Sequence, residues 1–288
     1  MLELTLQHIL NGLVVGSAYA LIAIGLTMIF GLMDIANFAH GEFYMLGGFF
    51  AYYAVSFLGL SFFVTIPLAI VVTMAVGALL DRGVFRRLRG TPLMSSVLAT
   101  IGLSIFFQHV ALLVWGPQPN EIPTPFPPAS IHLGPLFITP FRLFIAGVTL
   151  LLILAAHGVL QYTRVGKATR AVFQNRESAA LVGIDIDRIY LLSFTFGSGL
   201  AAAAGVLLGP IFLVYPTMGG MATLKAFIVV IVGGMGNFLG AIVSGLLLGV
   251  AESLGAGFVS TAYKDAVGFV IVIIVLMLMP QGLFGSKA

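Results

Sequence analysis

Residues 163–190 read TRVGKATRAVFQNRESAALVGIDIDRIY and carry five of the thirteen Lys and Arg residues of the chain. The stretch lies between two long apolar runs in a protein otherwise almost free of charge. Its pattern is that of two short helices rather than of a solvated tail. Residues 166–175 are good helix formers, with Ala168, Ala171 and Val172 at helical spacing. Asn175 is placed to cap a second helix over 177–181, and Glu177 falls in its first turn, where a negative charge meets the positive end of the helix dipole. Gly183 can enter the left-handed region and so stop that helix. An ordered, charged, two-helix platform on one face of an apolar protein suits the docking of a soluble partner.

Around the platform, composition sets the class. Of 288 residues, 60% are hydrophobic and only 8% charged, with a mean hydropathy of +1.13. Soluble domains have about 25% charged residues. Apolar runs of about 20 residues recur along the chain, the length that spans a bilayer as a helix. Lipid offers the backbone no hydrogen bonds, and these runs lack the alternation of a barrel, so they are expected to be helices. The sequence therefore predicts an all-α polytopic membrane protein, one transmembrane domain over 1–288. The net charge of +3 reads as asymmetry between loops rather than as a nucleic-acid footprint. With no cysteine, neither a disulfide framework nor a thiolate metal site can form. Residues 1–8 lack a basic n-region and no small-residue cleavage site follows, so the first apolar run is expected to remain as the first helix.

The expected spans are residues 9–30, 44–58, 62–80, 93–115, 141–162, 191–214, 237–254 and 265–279, with a short apolar run over 225–236. That is eight helices if the short run is re-entrant and nine if it crosses. Residues 82–90 hold four basic residues and 164–188 hold five, which places both loops on the cytoplasmic side. Residues 116–140 contain eight prolines and no Lys or Arg, the composition of an irregular external cap. Gly12 and Gly16, Gly205 and Gly209, and Gly245 and Gly249 are each four apart, a spacing that lets helices approach closely.

Two places break the apolar pattern. In residues 31–43, GLMDIANFAHGEF, the polar residues Asp34, Asn37, His40 and Glu42 lie between spans with no basic residue nearby. Gly31 and Gly41 permit a broken helix with these groups buried in protein or lining a cavity. Ionisable groups at such depth mark a functional site by default. An interfacial turn, with Asp34 and Asn37 capping the next helix, would use the same residues. His40 and Glu42 alone are too few for a zinc site. Residues 216–234 repeat the grammar of an apolar helix, a break and a helix with paired glycines, an organisation consistent with an inverted repeat.

No Walker A loop, GxSxG, HExxH or kinase signature occurs. Gly166-Lys167-Ala168-Thr169 lacks both the upstream glycine and the preceding strand of a Walker A loop. The chain is not expected to be an enzyme, to bind a cofactor or to hold a metal. Any energy for transport would come from a partner or an ion gradient.

Residues 25–42, GLTMIFGLMDIANFAHGE, resemble the first motif of branched-chain amino acid ABC-transporter permeases. Residues 163–184 are similar to the cytoplasmic coupling loop of that family, and 233–241, GGMGNFLGA, and 280–284, PQGLF, to two further motifs. The likeness spans nearly the whole chain, and its length matches the shorter of the two permeases of such systems. The resemblance implies a bacterial inner-membrane importer. Two permease subunits, often non-identical, would sit on two cytoplasmic ATPase subunits that bind ATP and Mg, and a periplasmic binding protein would deliver leucine, isoleucine or valine. Glu177, Ala179, Ala180 and Gly183 are similar to the EAA–Gly loop of importers, and the resemblance makes their helix the ATPase contact. Arg164, Lys167, Arg170 and Arg176, with the cap Asn175, would orient that helix or pair with the ATPase. Positive-inside bias alone also accounts for these cations.

The expected mechanism is alternating access driven by ATP, with Asp34, Asn37, His40 and Glu42 along the pathway. Two alternatives fit the same residues. One is an ion-coupled secondary transporter with a relay of Glu42, His40, Asp34 and Glu252. The other is an ABC permease for urea or short amides.

Overall fold

Backbone groups inside a bilayer must find partners in the protein, and helices meet that demand within each segment. The computed structural model describes residues 1–134 and 136–285. In chain order its helices are α1 (Leu2–Met33), α2 (His40–Ser56), α3 (Phe62–Leu80) and α4 (Arg86–Leu88), the last joined to α3 by a π-helical turn over Asp81–Phe85. Then follow α5 (Leu93–Trp115), the strands β1 (Ile131–Leu133) and β2 (Leu136–Ile138), and α6 (Pro140–Tyr162). The platform forms α7 (Arg164–Gln174) and α8 (Arg176–Leu181), and the rest of the chain α9 (Ile186–Phe212), α10 (Met218–Gly233), α11 (Phe238–Phe258) and α12 (Lys264–Leu278).

Among the described residues seven helices are long and apolar enough to cross a membrane. The chain is thus an all-α polytopic membrane protein. The expected eight or nine helices divide into these seven and two short ones, α2 with 17 residues and α10 with 16. At 1.5 Å per residue each short helix is about 25 Å long, less than a hydrocarbon core of about 30 Å. α10 begins at Met218, not at Lys225 as the apolar run suggested, because Gly219, Gly220 and Thr223 are helical here.

The two ends of the bundle are distinguished by their loops. At one end lie the basic residues after α3 and the α7–α8 platform. At the other lies the proline-rich segment, which is less irregular than its composition predicts. β1 and β2 pair as an antiparallel hairpin, and Phe137 exchanges two hydrogen bonds with the Gln7 side chain of α1, at 2.7 and 2.8 Å. Pro135 lies outside the described residues.

The core is built on two halves, α1–α2 and α9–α10, each a long helix, a break and a short helix, whose long helices run in opposite directions. α1 runs from the proline-rich end to the basic end and stops at Asp34, φ 52°. α9 runs the opposite way and stops at Leu213, φ 65°. These are the two non-glycine residues of positive φ among the described residues, but only Asp34 is left-handed helical, with ψ 28°, while Leu213 has an extended ψ of 161°. Each chain then turns back into the bundle and starts its short helix well inside. His40, the first residue of α2, bonds the carbonyl of Ile22, eleven residues or about 16 Å before the end of α1.

Glycines fix the crossings between halves. A Cβ on Gly25 of α1 would stand 2.5 Å from Gly197 O of α9, and one on Gly197 2.8 Å from Gly25 O. α3 then lies across α9, where Gly77 meets Ser198, and α11 lies across α1, where Gly245 and Gly249 meet Ala20, Gly16 and Gly12. Two of the three glycine pairs legible in the sequence, Gly12/Gly16 and Gly245/Gly249, are therefore partners of one another, whereas Gly205 meets the backbone of Tyr44 in α2 and Gly209 meets Ile122. α1 and α9 are mostly buried, whereas α3, α5, α6 and α12 present apolar faces outward, as lipid-facing helices do.

Candidate translocation site and coupling platform

The two short helices meet at their N-termini, and this meeting gathers three of the four pathway candidates. A helix that starts inside a membrane has N–H groups that water cannot reach. Here Asn37 Oδ1 accepts from Ala39 N at 3.0 Å and the Asn37 carbonyl from His40 N at 3.2 Å. Gly41 N donates to Thr223 Oγ1 of α10 at 2.8 Å. Gly41 and Gly219 lie against each other so closely that neither has room for a Cβ. Asn37 thus folds a turn onto Ala39 and His40 just ahead of α2, but its side chain does not cap the helix, whose N-cap residue is Ala39.

Asn37, His40 and Glu42 have no solvent exposure. His40 Nε2 lies 3.0 Å from Ile22 O; a carbonyl can only accept, so Nε2 carries the proton. Glu42 Oε1 accepts from Ser104 Oγ at 2.7 Å and Gln108 Nε2 at 2.9 Å, both on α5. Among the described residues Asn37 Nδ2, His40 Nδ1 and Glu42 Oε2 have no hydrogen-bond partner. Orphaned buried polar atoms are rare in folded proteins, and three here converge on one helix start.

Asp34 does not belong to this group. Its side chain is 70% exposed at the basic end and pairs with Arg176 of α8. The residue expected along the pathway instead ties the end of α1 to the platform. Its place at the left-handed C-cap, one residue past α1, is what carries it there.

The platform forms as its sequence predicts. Thr163 Oγ1 caps α7 by accepting from Gly166 N at 3.0 Å, and Asn175 Oδ1 caps α8 by accepting from Ser178 N at 2.8 Å. Gly183, φ 85°, ends α8. Arg170 donates to the carbonyls of Leu160 and Gln161, holding the C-terminal end of α6, so its work lies within the chain. Ala179 is buried, while Arg164, Lys167, Glu177, Ala180 and Gly183 are exposed. Beyond the capped helix, Leu181 and Val182 are 88% and 77% exposed. Phe173 of α7 lies against both Gly31 of α1 and Gly236 of the α10–α11 turn. The residues 280–285 are strapped to that same turn, with Leu283 N donating to Val232 O at 2.8 Å and Asn237 Nδ2 to Phe284 O at 2.9 Å. The platform thus touches the basic end of both halves.

A second buried cluster was missed in the sequence. Lys225 Nζ lies 2.6 Å from each Glu252 oxygen and 2.8 Å from Asp265 Oδ1, and Tyr19 OH donates to Glu252 Oε2 at 3.0 Å. It joins α1, α10, α11 and α12. One cation and two carboxylates in segments otherwise without charge were its available signal. It also separates Glu252 from His40, Glu42 and Asp34, so the relay of the ion-coupled alternative is not assembled. Among the described residues no group of three or more His, Asp or Glu side chains is placed to hold a metal ion.

Comparison with known proteins accords with this arrangement. Residues 8–276 match the family model described as branched-chain amino acid transport system / permease component. The chain is 38% identical to the high-affinity branched-chain amino acid transport system permease protein LivH of Salmonella typhimurium, over 97% of this chain and 95% of that protein. It is equally similar, with the same coverage, to the corresponding permease protein BraD of Pseudomonas aeruginosa. To the permease protein LivM of Salmonella typhimurium it is 26% identical, over 92% of this chain and 67% of that protein. No solved structure matches it. By the span of the family match and the identity to LivH and BraD, the chain belongs to the permease component family of branched-chain amino acid transport systems.

Proposed function

We propose that this chain is the membrane-spanning permease subunit of an ATP-driven importer that moves branched-chain amino acids into the cell by alternating access. The observation that carries the proposal is the platform: a capped two-helix hairpin that exposes Leu181 and Val182 and contacts the basic end of both inverted halves. A protein coupled to an ion gradient has no need of such a docking face. The names of LivH and BraD supply the substrate class. The organism that has LivH also has LivM, and this supports a second, non-identical permease as partner.

In this reading the basic end is cytoplasmic and the membrane is the bacterial inner membrane. Two ATPase subunits bind ATP and Mg and receive the helix from Glu177 to Gly183, and an external binding protein delivers the amino acid. The permease itself binds no cofactor. ATPase closure displaces α7–α8. Phe173 and the Asp34–Arg176 pair transmit that displacement to Gly31 and Gly236, where the two halves turn back into the bundle. The halves rock about the glycine crossings, and the α2–α10 contact opens and closes the path. Asn37, His40 and Glu42, with their unpartnered atoms, line that gate.

The test is uptake of leucine into proteoliposomes. Uptake is expected only when this chain, its partner permease, the ATPases, the binding protein and ATP are all present. Asn37→Ala and His40→Ala are expected to lower it at least tenfold. Uptake by this chain alone under an imposed proton or sodium gradient would overturn the reading.

A further inference from the structure

The cluster around Lys225 does more than join helices. Its outer edge forms one wall of a cavity of about 240 Å³ that lies toward the proline-rich end, between α9, α10 and α12. Lys225 is fully engaged by Glu252 and by Asp265 Oδ1. The groups at the rim are less committed. Asp265 is 38% exposed in its side chain and accepts from Lys225 through Oδ1, with no partner for Oδ2 among the described residues. Lys264 has no carboxylate partner among the described residues, and its ammonium lies 5.3 Å over the ring of Phe212. Tyr44 and Tyr215 also line the cavity. Tyr44 is only 6% exposed, yet neither hydroxyl has a hydrogen-bond partner among the described residues. The remaining wall is apolar, formed by Leu208, Met218 and Met221.

We infer that this cavity binds a zwitterionic aliphatic amino acid, with its ammonium on Asp265, its carboxylate on Lys264 and its side chain against Leu208, Met218 and Met221. Three features converge. Lys225 and Lys264 balance Glu252 and Asp265, so a ligand of zero net charge leaves the site neutral. An acidic or basic amino acid would add an uncompensated charge in a poorly solvated place, at a heavy cost. Drug-sized ligands occupy about 300–1,000 Å³, so the smaller space here suits a single amino acid. Finally, the tyrosine hydroxyls and Lys264 sit where no structural partner uses them. A cluster serving only to join helices would need Lys225, Glu252 and Tyr19 but not these groups.

The inference rests on the amino-acid importer reading, and the experiment separates the two. The assembled transporter, without its binding protein or nucleotide, is placed in nanodiscs, and equilibrium binding of tritiated leucine is measured. Saturable binding is expected. Leucinamide, which lacks the carboxylate, 4-methylpentanoate, which lacks the amine, and glutamate should each compete at least tenfold more weakly than leucine. Lys264→Met and Asp265→Asn should each weaken leucine binding at least tenfold, and Tyr44→Phe severalfold, in complexes that still elute as intact assemblies. If the complete system imports leucine with ATP but the nanodisc complex shows no saturable binding, the site is refuted and the importer stands. Equal competition by 4-methylpentanoate also refutes it. If the complete system imports short amides and not leucine, both readings fall.

Discussion

The two inverted halves use the same backbone plan but different chemistry where their short helices are held. In the first half a single carboxyl group, Glu42, is met only by the neutral donors Ser104 and Gln108, and one of its oxygens is left without a partner. In the second half Lys225 is clamped by two carboxylates and braced by Tyr19. Neutral hydrogen bonds can be exchanged as helices shift, while a buried ion cluster resists any motion that would separate its charges. On the proposed importer reading, the comparison makes α10 the fixed wall of the gate and α2 the leaf that moves against it.

The sharpest way to break this comparison is to remove the cation. Lys225→Met leaves Glu252 without its counter-charge in a place only 6% exposed, and such a change costs about 3–5 kcal/mol. A large fall in the unfolding temperature of the assembled transporter is expected. The double variant Lys225→Met/Glu252→Leu should recover most of it, because well-packed apolar residues replace a buried pair at little cost. A double variant no more stable than the single one would deny the second half its anchoring role.

The crossing of the halves comes next. Gly197→Ala places a methyl group against the Gly25 backbone, and overpacking of this kind costs about 1–3 kcal/mol. On the proposed mechanism the halves rock about this crossing, so leucine uptake should fall further than the loss of folded protein explains. Uptake that tracks the amount of folded protein would move the pivot elsewhere.

These contacts were unequally legible in the sequence. Composition and apolar run length gave the helices, and glycine spacing gave the close-packing faces of α1 and α11, since both are local properties. The caps Asn175 and Gly183 were legible for the same reason. Which glycine meets which, and where the short helices start, depend on tertiary packing. The sequence pattern places an outer-side break over residues 216–222, yet the helix already begins at Met218, where Gly219 packs against Gly41. The Lys225 cluster was hidden because its members lie up to 246 residues apart, from Tyr19 to Asp265. Asp34 was grouped with Asn37 by proximity in sequence, but a single left-handed residue sends the two to different depths.

A gentler change tests the softer half. Glu42→Gln conserves volume and keeps an oxygen to accept from Ser104 and Gln108. Each hydrogen bond to a charged group is worth about 1.5–3 kcal/mol and a neutral one about 0.5–1.5, so the unfolding temperature should fall much less than in Lys225→Met. Leucine uptake should nevertheless drop at least tenfold if this carboxyl group works in the gate. A stability loss equal to that of Lys225→Met would show that both halves are anchored alike.

The smallest effect on stability is expected at Asp34, where the first half meets the platform. Its pair with Arg176 is exposed on both sides, at 70% and 53%, and exposed pairs contribute at most about 1 kcal/mol. Asn is the suitable replacement, because it tolerates the left-handed backbone that Asp34 adopts, whereas Ala would add strain unrelated to charge. Asp34→Asn should therefore leave the unfolding temperature nearly unchanged while lowering the amount of leucine imported per ATP hydrolysed. Raising salt should lower the ratio in the parent protein and leave Asp34→Asn indifferent, because screening acts only where the charge pair exists. If Asp34→Asn imports leucine at the parental ratio, force reaches the first half through Phe173 and Gly31 alone, and the ion pair merely closes the end of α1.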